Sequence, residues 1–413
     1  MPSIRFTVVA LLAAWASTTG AQQSSEDLET VLGDAKNLTQ FTSLVTNNTE
    51  LFDALSSASD ITIFAPSDEA FDKIPYSSLR SVFEDNDEDT IAAILNYHVV
   101  NGARPSSSIN TSFAFLPTRL DDPEYSNVTN GQTVSIVKQS EEDLILVSGL
   151  GSRSSVTDGD ISFKGGIIHV IDSFLIPPQS FLDTATQFNL TAAGGAAAKA
   201  EVLDYLTDTP DLTIFAPAND AFMKIGTALE DMTVADLAAV LSYHVVNGSV
   251  RYSSSLTNGS VLPTLNGANL TVRAAGNAIY INSARIVTQD LLLANGVLHI
   301  IDNVLNPNAT LVLPNPTVPT QPAIIPGSAV TFIPFSADLP TSTADDGIGP
   351  TDSALASATD DASAEATSTD YSDASETSTG AAAEALLGRA KMGGVVKAVT
   401  AVVLGVVLGG ALL

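Results

Sequence analysis

The chain carries only four histidines, and each stands near a second group able to exchange a proton or hold a ligand. His98 follows Tyr97 and His244 follows Tyr243, so an imidazole sits beside a phenol twice; such a pair can relay a proton or grip a polar ligand. His169 precedes Asp172 by three residues and His299 precedes Asp302 by three, a spacing that suggests a base and its carboxylate. On a strand, however, residues three apart point to opposite faces, which keeps each of these pairs from acting together. For the Tyr-His pairs, a position at the end of an apolar helix favours a structural role, in which both side chains hydrogen-bond backbone groups that burial would otherwise leave unpaired.

Other chemistry finds little support. Zinc requires three or four convergent ligands, whereas the two histidines of each half lie 71 or 55 residues apart and the chain has no cysteine. No metal and no cofactor are therefore expected. There is no P-loop, no GxGxxG and no HExxH, and Gly149 to Arg153 reads GLGSR, without the closing glycine of a nucleophile elbow. The adjacent carboxylates Asp87 and Glu88, Glu141 and Glu142, and Asp345 and Asp346 lie in polar runs, where solvated surface is the ordinary reading. The expectation is a protein that is not an enzyme.

The histidines recur because the chain is duplicated. ITIFAPSDEAF (Ile61 to Phe71) returns as LTIFAPANDAF (Leu212 to Phe222), YHVVNG (Tyr97 to Gly102) returns at Tyr243 to Gly248, and GIIHVID (Gly166 to Asp172) is answered by GVLHIID (Gly296 to Asp302). The offset falls from 151 at Ile61 and Leu212 to 130 at His169 and His299, so the first copy carries insertions. Most of the extra length is RLDDPEYSNV, Arg119 to Val128; a second increment within Gln139 to Asp160 reads as a loop from its Gly, Ser and Asp content. A residue each copy needs for folding is doubled automatically, whereas a single active-site histidine is not.

Each copy needs a similar set of elements to place these landmarks. Helices are expected over Leu51 to Ser57 and Ala197 to Leu206, leading into a short strand, ITIFA or LTIFA, that ends at Pro66 or Pro217. Ser67 and Asp68, and in the second copy Ala218, Asn219 and Asp220, suit a helix N-cap. DEDTIAAILNYHVV and TVADLAAVLSYHVV show helical apolar spacing and deliver Tyr and His into a strand. Hairpin signals follow around Gly276 and Asn277 and in TVSIVKQSEEDLILVS; the apolar closing strands read as buried on both faces. The class is α+β with a mostly antiparallel sheet.

Outside the repeats, residues 1–21 have Arg5, an apolar run and small residues suited to cleavage after Ala21, the pattern of a signal peptide. Residues 22–178 and 179–310 hold the two copies. From Leu311 a proline-rich linker and then a Ser/Thr/Asp-rich stretch to residue 380 predict a disordered stalk; sixteen of the forty residues from Thr341 to Gly380 are Ser or Thr and nine are acidic. Residues 381–413 end in an apolar run behind Arg389, Lys391 and Lys397, which with the small residues from Gly380 fits a GPI signal, Gly380 being the attachment candidate. The alternative is an uncleaved C-terminal membrane helix on a structural or trafficking protein of the vacuolar membrane or endomembrane system. Nine N-x-[ST] sequons, at Asn37, Asn47, Asn110, Asn127, Asn189, Asn247, Asn258, Asn269 and Asn308, suggest a glycosylated surface. The net charge of −29 argues against nucleic acid and anionic headgroups as partners.

The landmarks TIFAPSDEAF, YHVV and GGIIHVID, with their second copies in the same order, closely resemble the fasciclin (FAS1) family, over about Leu28 to Pro307. The resemblance implies two tandem FAS1-like domains, each a wedge-like β-sandwich with flanking helices, and a role in cell adhesion or attachment to wall or matrix. Signal, paired domains, Ser/Thr-rich stalk and GPI signal together look like fungal surface fasciclins, on the outer face of the plasma membrane or in the cell wall. The family's adhesion interest centres on the YH region, which makes Tyr97, His98, Tyr243 and His244 the binding candidates and His169, Asp172, His299 and Asp302 a structural motif. The partner would be a surface, wall or matrix glycan or protein.

Overall fold

The computed structural model describes residues 26–139, 143–309 and 312–340. The signal segment, residues 341–380 of the stalk, Gly380 and the GPI segment lie outside the described residues. In the first lobe α1 (Leu28–Asp34), α2 (Thr39–Asn47) and α3 (Thr49–Ser57) lead into β1 (Ile61–Pro66). Next come α4 (Asp68–Phe71), α5 (Arg80–Glu84) and α6 (Glu88–Tyr97), then β2 (Val99–Asn101), β3 (Ala114–Pro117), β4 (Thr133–Lys138), β5 (Leu144–Val147), β6 (Arg153–Phe163) and β7 (Gly166–Ile171). The second lobe repeats this order. It has α7 (Phe181–Gln187), α8 (Thr191–Lys199), α9 (Leu203–Asp208), β8 (Leu212–Pro217), α10 (Asn219–Met223), α11 (Gly226–Glu230) and α12 (Val234–Tyr243). Strands β9 (Val245–Val246), β10 (Val261–Pro263), β11 (Asn269–Ala275), β12 (Ala278–Ile281), β13 (Ala284–Leu293) and β14 (Gly296–Ile301) complete it.

Each lobe holds one seven-stranded sheet, in the order β2-β1-β7-β6-β5-β4-β3 and, equivalently, β9-β8-β14-β13-β12-β11-β10. Only β1 with β7 and β8 with β14 run parallel; the other neighbours are antiparallel. The edges curl toward one another, and the Arg119 N–H donates to Val99 O at 2.8 Å, as does the Leu265 N–H to Val245 O at 2.8 Å. The sheet thus supplies both layers of a barrel-like body.

The apolar run of β1 divides by parity. Ile61, Ile63 and Ala65 join the helix-side core with Leu28, Phe41 and Leu55, while Phe64 turns into the barrel with Tyr97, Leu116 and Val134. Strand β8 repeats this, with Leu212, Ile214 and Ala216 toward the helices and Phe215 beside Tyr243. A period-two element covered on both faces needs apolar residues at every position. Strands β7 and β14 begin with Gly166 and Gly296, where a Cβ would lie 1.9 Å from the carbonyl oxygens of Ile61 and Leu212.

The N-cap expectation holds in the first lobe, where the Ser67 hydroxyl accepts from the Ala70 N–H at 3.3 Å. The second lobe has Ala218 at that position, with no side-chain cap. There Asn219 reaches instead to the Ala192 N–H at 3.0 Å, as Asp68 reaches to that of Gln40 at 2.9 Å, each pinning the start of the preceding long helix.

Three expectations change. The helix foreseen over Ala197 to Leu206 is two helices, broken where Glu201 takes a left-handed φ of 57°. Among its described residues, the Gly/Ser/Asp-rich stretch within Gln139 to Asp160 is mostly β5 and β6, with a turn at Ser148–Ser152. Its polar content reflects the half-exposed face of β6 and a bulge at Asp160, whose φ is 61°.

The third change concerns the proline-rich segment, expected to begin a disordered stalk at Leu311. Residues 312–340 pack on the second lobe: Ile325 is buried in its helix-side core, the Val330 N–H donates to Met223 O at 2.9 Å, and Phe335 meets Phe222 edge-on at 6.2 Å. Lys199 lies 5.2 Å from the Phe335 ring centroid and 3.8 Å from Asp338. Helix α8 admits the segment because it is built of Ala and Gly; a Cβ on Gly195 would lie 1.9 Å from Phe335 O. The prolines lower the entropy lost on ordering, and Ile325, Val330 and Phe335 supply the apolar burial that the composition hid.

Candidate functional site

Helix α6 is capped by Asp87, whose carboxylate accepts from the Thr90 N–H at 3.2 Å, and α12 by Thr233 in a reciprocal box with Asp236. Their apolar faces drive each helix into the core and set Tyr97 and Tyr243 at its last turn, with His98 and His244 as C-caps. Tyr97, His98 and Tyr243 are 0% exposed and His244 2%. The Tyr97 hydroxyl donates to Thr133 O at 2.8 Å and that of Tyr243 to Asn269 O at 3.0 Å, which ties each helix to the far side of its barrel. Burial raises both phenol pKa values.

The two histidines make the same pair of bonds. The Leu175 N–H donates to His98 Nε2 at 2.9 Å, so the ring proton resides on Nδ1, which donates to Ile94 O at 2.7 Å. For His244 the partners are the Leu305 N–H at 2.9 Å and Val240 O at 2.8 Å. Burial lowers both pKa values to about 4, so the rings are neutral at physiological pH. Each ring thus joins its helix to the chain just past the closing strand, and neither has an accessible atom to offer a ligand. The YH residues thus lie inside the core, with both nitrogens of each ring bonded to backbone.

His169 and His299 use the opposite tautomer. The Asp160 N–H donates to His169 Nδ1 at 3.3 Å and Nε2 donates to Arg104 O at 2.8 Å; the Asp290 N–H and Arg251 O serve His299 at 3.2 Å and 2.8 Å. Burial lowers the pKa of both rings. Phe64 stacks on His169 at 5.8 Å and Phe215 on His299 at 5.4 Å. Asp172 and Asp302 point away from these rings, as the spacing requires, and accept from the N–H groups of Ser155 and Arg285 at 2.8 Å.

Two residues per lobe escaped sequence reasoning. Ser106 donates its hydroxyl to Asp160, whose N–H meets His169, and Ser253 repeats this with Asp290 and His299. Serine, aspartate and histidine therefore stand together twice. The order of contact is wrong for nucleophilic catalysis: the hydroxyl bonds the carboxylate, and both imidazole nitrogens are taken by backbone. The signal available in sequence was an aspartate nine residues before the histidine in both copies. Among the described residues no cluster of three His, Asp or Glu could hold a metal, and no helix is long and apolar enough to cross a membrane.

The joint between the lobes is built from the first insertion together with its flanking strands β3 and β4. From the Arg119–Val128 segment, the Asn127 N–H donates to Ala294 O and its side-chain amide to Asp208 O, both at 2.7 Å. Just beyond it, the Thr129 N–H donates to Asp211 at 2.9 Å and its hydroxyl to the same carboxylate. Gln132, 1% exposed, donates to Leu293 O at 3.1 Å. Phe115 stacks on Tyr252 with centroids 4.0 Å apart and an interplanar angle of 9°. The second insertion, at Ser148–Ser152, grips the connector: the Gly149 N–H donates to Ile176 O at 2.8 Å and the Ile176 N–H to the Ser148 hydroxyl at 3.1 Å. Eight sequon asparagines are exposed, Asn247 among them, whereas Asn127 is half-buried in this joint.

Comparison with known proteins places these features. The family model described as Fasciclin domain matches residues 36–177 and 188–307. A fasciclin-like arabinogalactan protein of Arthroderma benhamiae is 33% identical over 336 residues, 81% of this chain and 78% of that protein. The fasciclin-like arabinogalactan protein elcF of Phaeosphaeria nodorum is 27% identical over 69% of this chain and 90% of its own length. Among solved structures, a FAS1 domain pair from the insect cell adhesion molecule fasciclin I aligns over 67% of this chain and 99% of that chain, at 19% identity and a TM-score of 0.33.

Proposed function

The chain belongs to the fasciclin domain family, and on that premise we propose that it is a non-enzymatic attachment protein of the cell surface. The observation that carries this reading is the engagement of all four imidazoles: every ring nitrogen bonds a backbone group. What remains to act is surface. The two lobes, coupled by the joint between them, present that surface as one body, and the Ser/Thr-rich stretch after residue 340 serves as its tether. A GPI lipid at Gly380 would hold the tether on the outer face of the plasma membrane or in the wall, and the partner is a wall or matrix glycan or protein.

The test uses the full chain displayed on a host cell that does not otherwise attach. Attachment to wall or matrix material should appear with the chain and vanish after treatment with a phosphatidylinositol-specific phospholipase that releases it. Absence of attachment across a range of pH and calcium would refute the adhesive role. Attachment that resists the phospholipase, with the C-terminal segment still present by mass spectrometry, would refute the lipid anchor.

A further inference from the structure

A cleft of about 850 Å³ opens where the first lobe meets the connector and the end of α7. One wall is the 3-10 turn Ile74–Tyr76 with α5 behind it, and the other is the inserted turn Ser148–Ser152 together with Gln187. Its size is that of a small-molecule or short-oligomer site. Tyr76, on this wall, is 92% exposed. A large aromatic ring left to solvent on a proline-stiffened turn contributes nothing to the core and is available to a ligand.

The polar groups around the ring are uncharged as a set. Arg80 and Glu84 neutralise each other through an Nε–Oε1 contact of 2.8 Å, which leaves their remaining planar donors and acceptors at the wall. The Ser78 hydroxyl, also at the wall, is enclosed and has no hydrogen-bond partner among the described residues. Opposite, Leu150 is held with a left-handed φ of 55°, a conformation that branched residues adopt only where the surroundings impose it. The turn around it is closed by the Ser148 N–H on Ser152 O and tied to the connector through Ile176.

An apolar ring face beside neutral, closely spaced hydrogen-bonding groups suits a ligand whose C–H groups lie on one face and whose hydroxyls ring its edge. We propose that this cleft binds a neutral oligosaccharide, with Tyr76 as the stacking platform and Arg80, Glu84 and Gln187 meeting its hydroxyls. Among the described residues the second lobe lacks the matching wall: its corresponding turn is only Asn282 and Ser283, between β12 and β13. This inference deepens the attachment reading and rests on it for its biological setting.

Calorimetric titration of the full chain with three neutral hexasaccharides, from β-1,3-glucan, chitin and mannan, tests it. At least one should bind saturably. Tyr76→Ala should weaken that binding at least about tenfold without altering the melting temperature, since the ring is exposed, and Tyr76→Phe should retain it. Absence of saturable binding by all three, or wild-type affinity in Tyr76→Ala, overturns the proposal. Either result leaves the attachment of chain-bearing cells as a separate readout, so failure of the cleft and failure of the adhesive role are told apart.

Discussion

The side-chain amide of Asn127 donates to the backbone carbonyl of Asp208 at 2.7 Å, across the boundary between the lobes. That amide nitrogen is the atom an N-linked sugar would occupy, and the sequon threonine, Thr129, is bound to Asp211. A glycan there would replace one of that nitrogen's two hydrogens and need room that the half-buried position in the joint restricts. Site-resolved glycopeptide mass spectrometry should recover Asn127 unmodified; a substantial glycosylated fraction there in the folded protein would contradict the joint.

The joint also predicts coupled melting. Gln132 is buried, and its loss leaves the carbonyl of Leu293 without this donor, at a cost of about 2 kcal/mol. Calorimetry of the wild-type chain should show both lobes in one transition. Gln132→Ala combined with Tyr252→Ala, which also removes the stack on Phe115, should separate it into two.

Gly195 tests the docked proline-rich segment. Gly195→Val puts a side chain where the Phe335 carbonyl lies, which should destabilise the second lobe by about 2 kcal/mol and expose residues 312–340 to proteolysis. Unchanged protease resistance would show that the segment does not depend on α8.

How far the sequence reaches follows from these cases. Strands β1 and β7, and helices α6 and α12, were legible because each writes its own apolar period over six to ten residues. The placement of the YH residues at the end of an apolar helix was legible from that helix's own period and from its repetition. The joint was not, since Asn127 meets Asp208 and Gln132 meets Leu293 across 81 and 161 residues through side chain to backbone bonds that leave no local pattern. The docked segment was hidden for a different reason: its apolar residues follow no regular period, and its prolines mimic a tether. Ser106 and Asp160 were missed because neither belongs to a long repeated motif.

Acid should destabilise the fold in a definite window. His98 and His244 have folded pKa values of about 4 against an unfolded value of 6.5, so between these limits the unfolded chain binds more protons than the folded one. Stability is therefore full above about pH 6.5, falls as pH drops from there toward about 4, and loses about 3 kcal/mol per ring. Denaturant midpoints across that range should decline accordingly, and His98→Asn should flatten the slope while lowering stability at pH 7. A midpoint independent of pH from 7 to 4.5 would contradict the burial of these rings.

The most direct measurement is a long-range nitrogen–proton NMR spectrum of the imidazoles in the intact chain near pH 6. If the histidines serve the fold alone, the spectrum will show His98 and His244 neutral and protonated on Nδ1, and His169 and His299 each held in a single state with Nε2 protonated and Nδ1 accepting. A ring that titrates near its ordinary value, or that exchanges between tautomers, would have a nitrogen free for chemistry and would contradict a purely structural role.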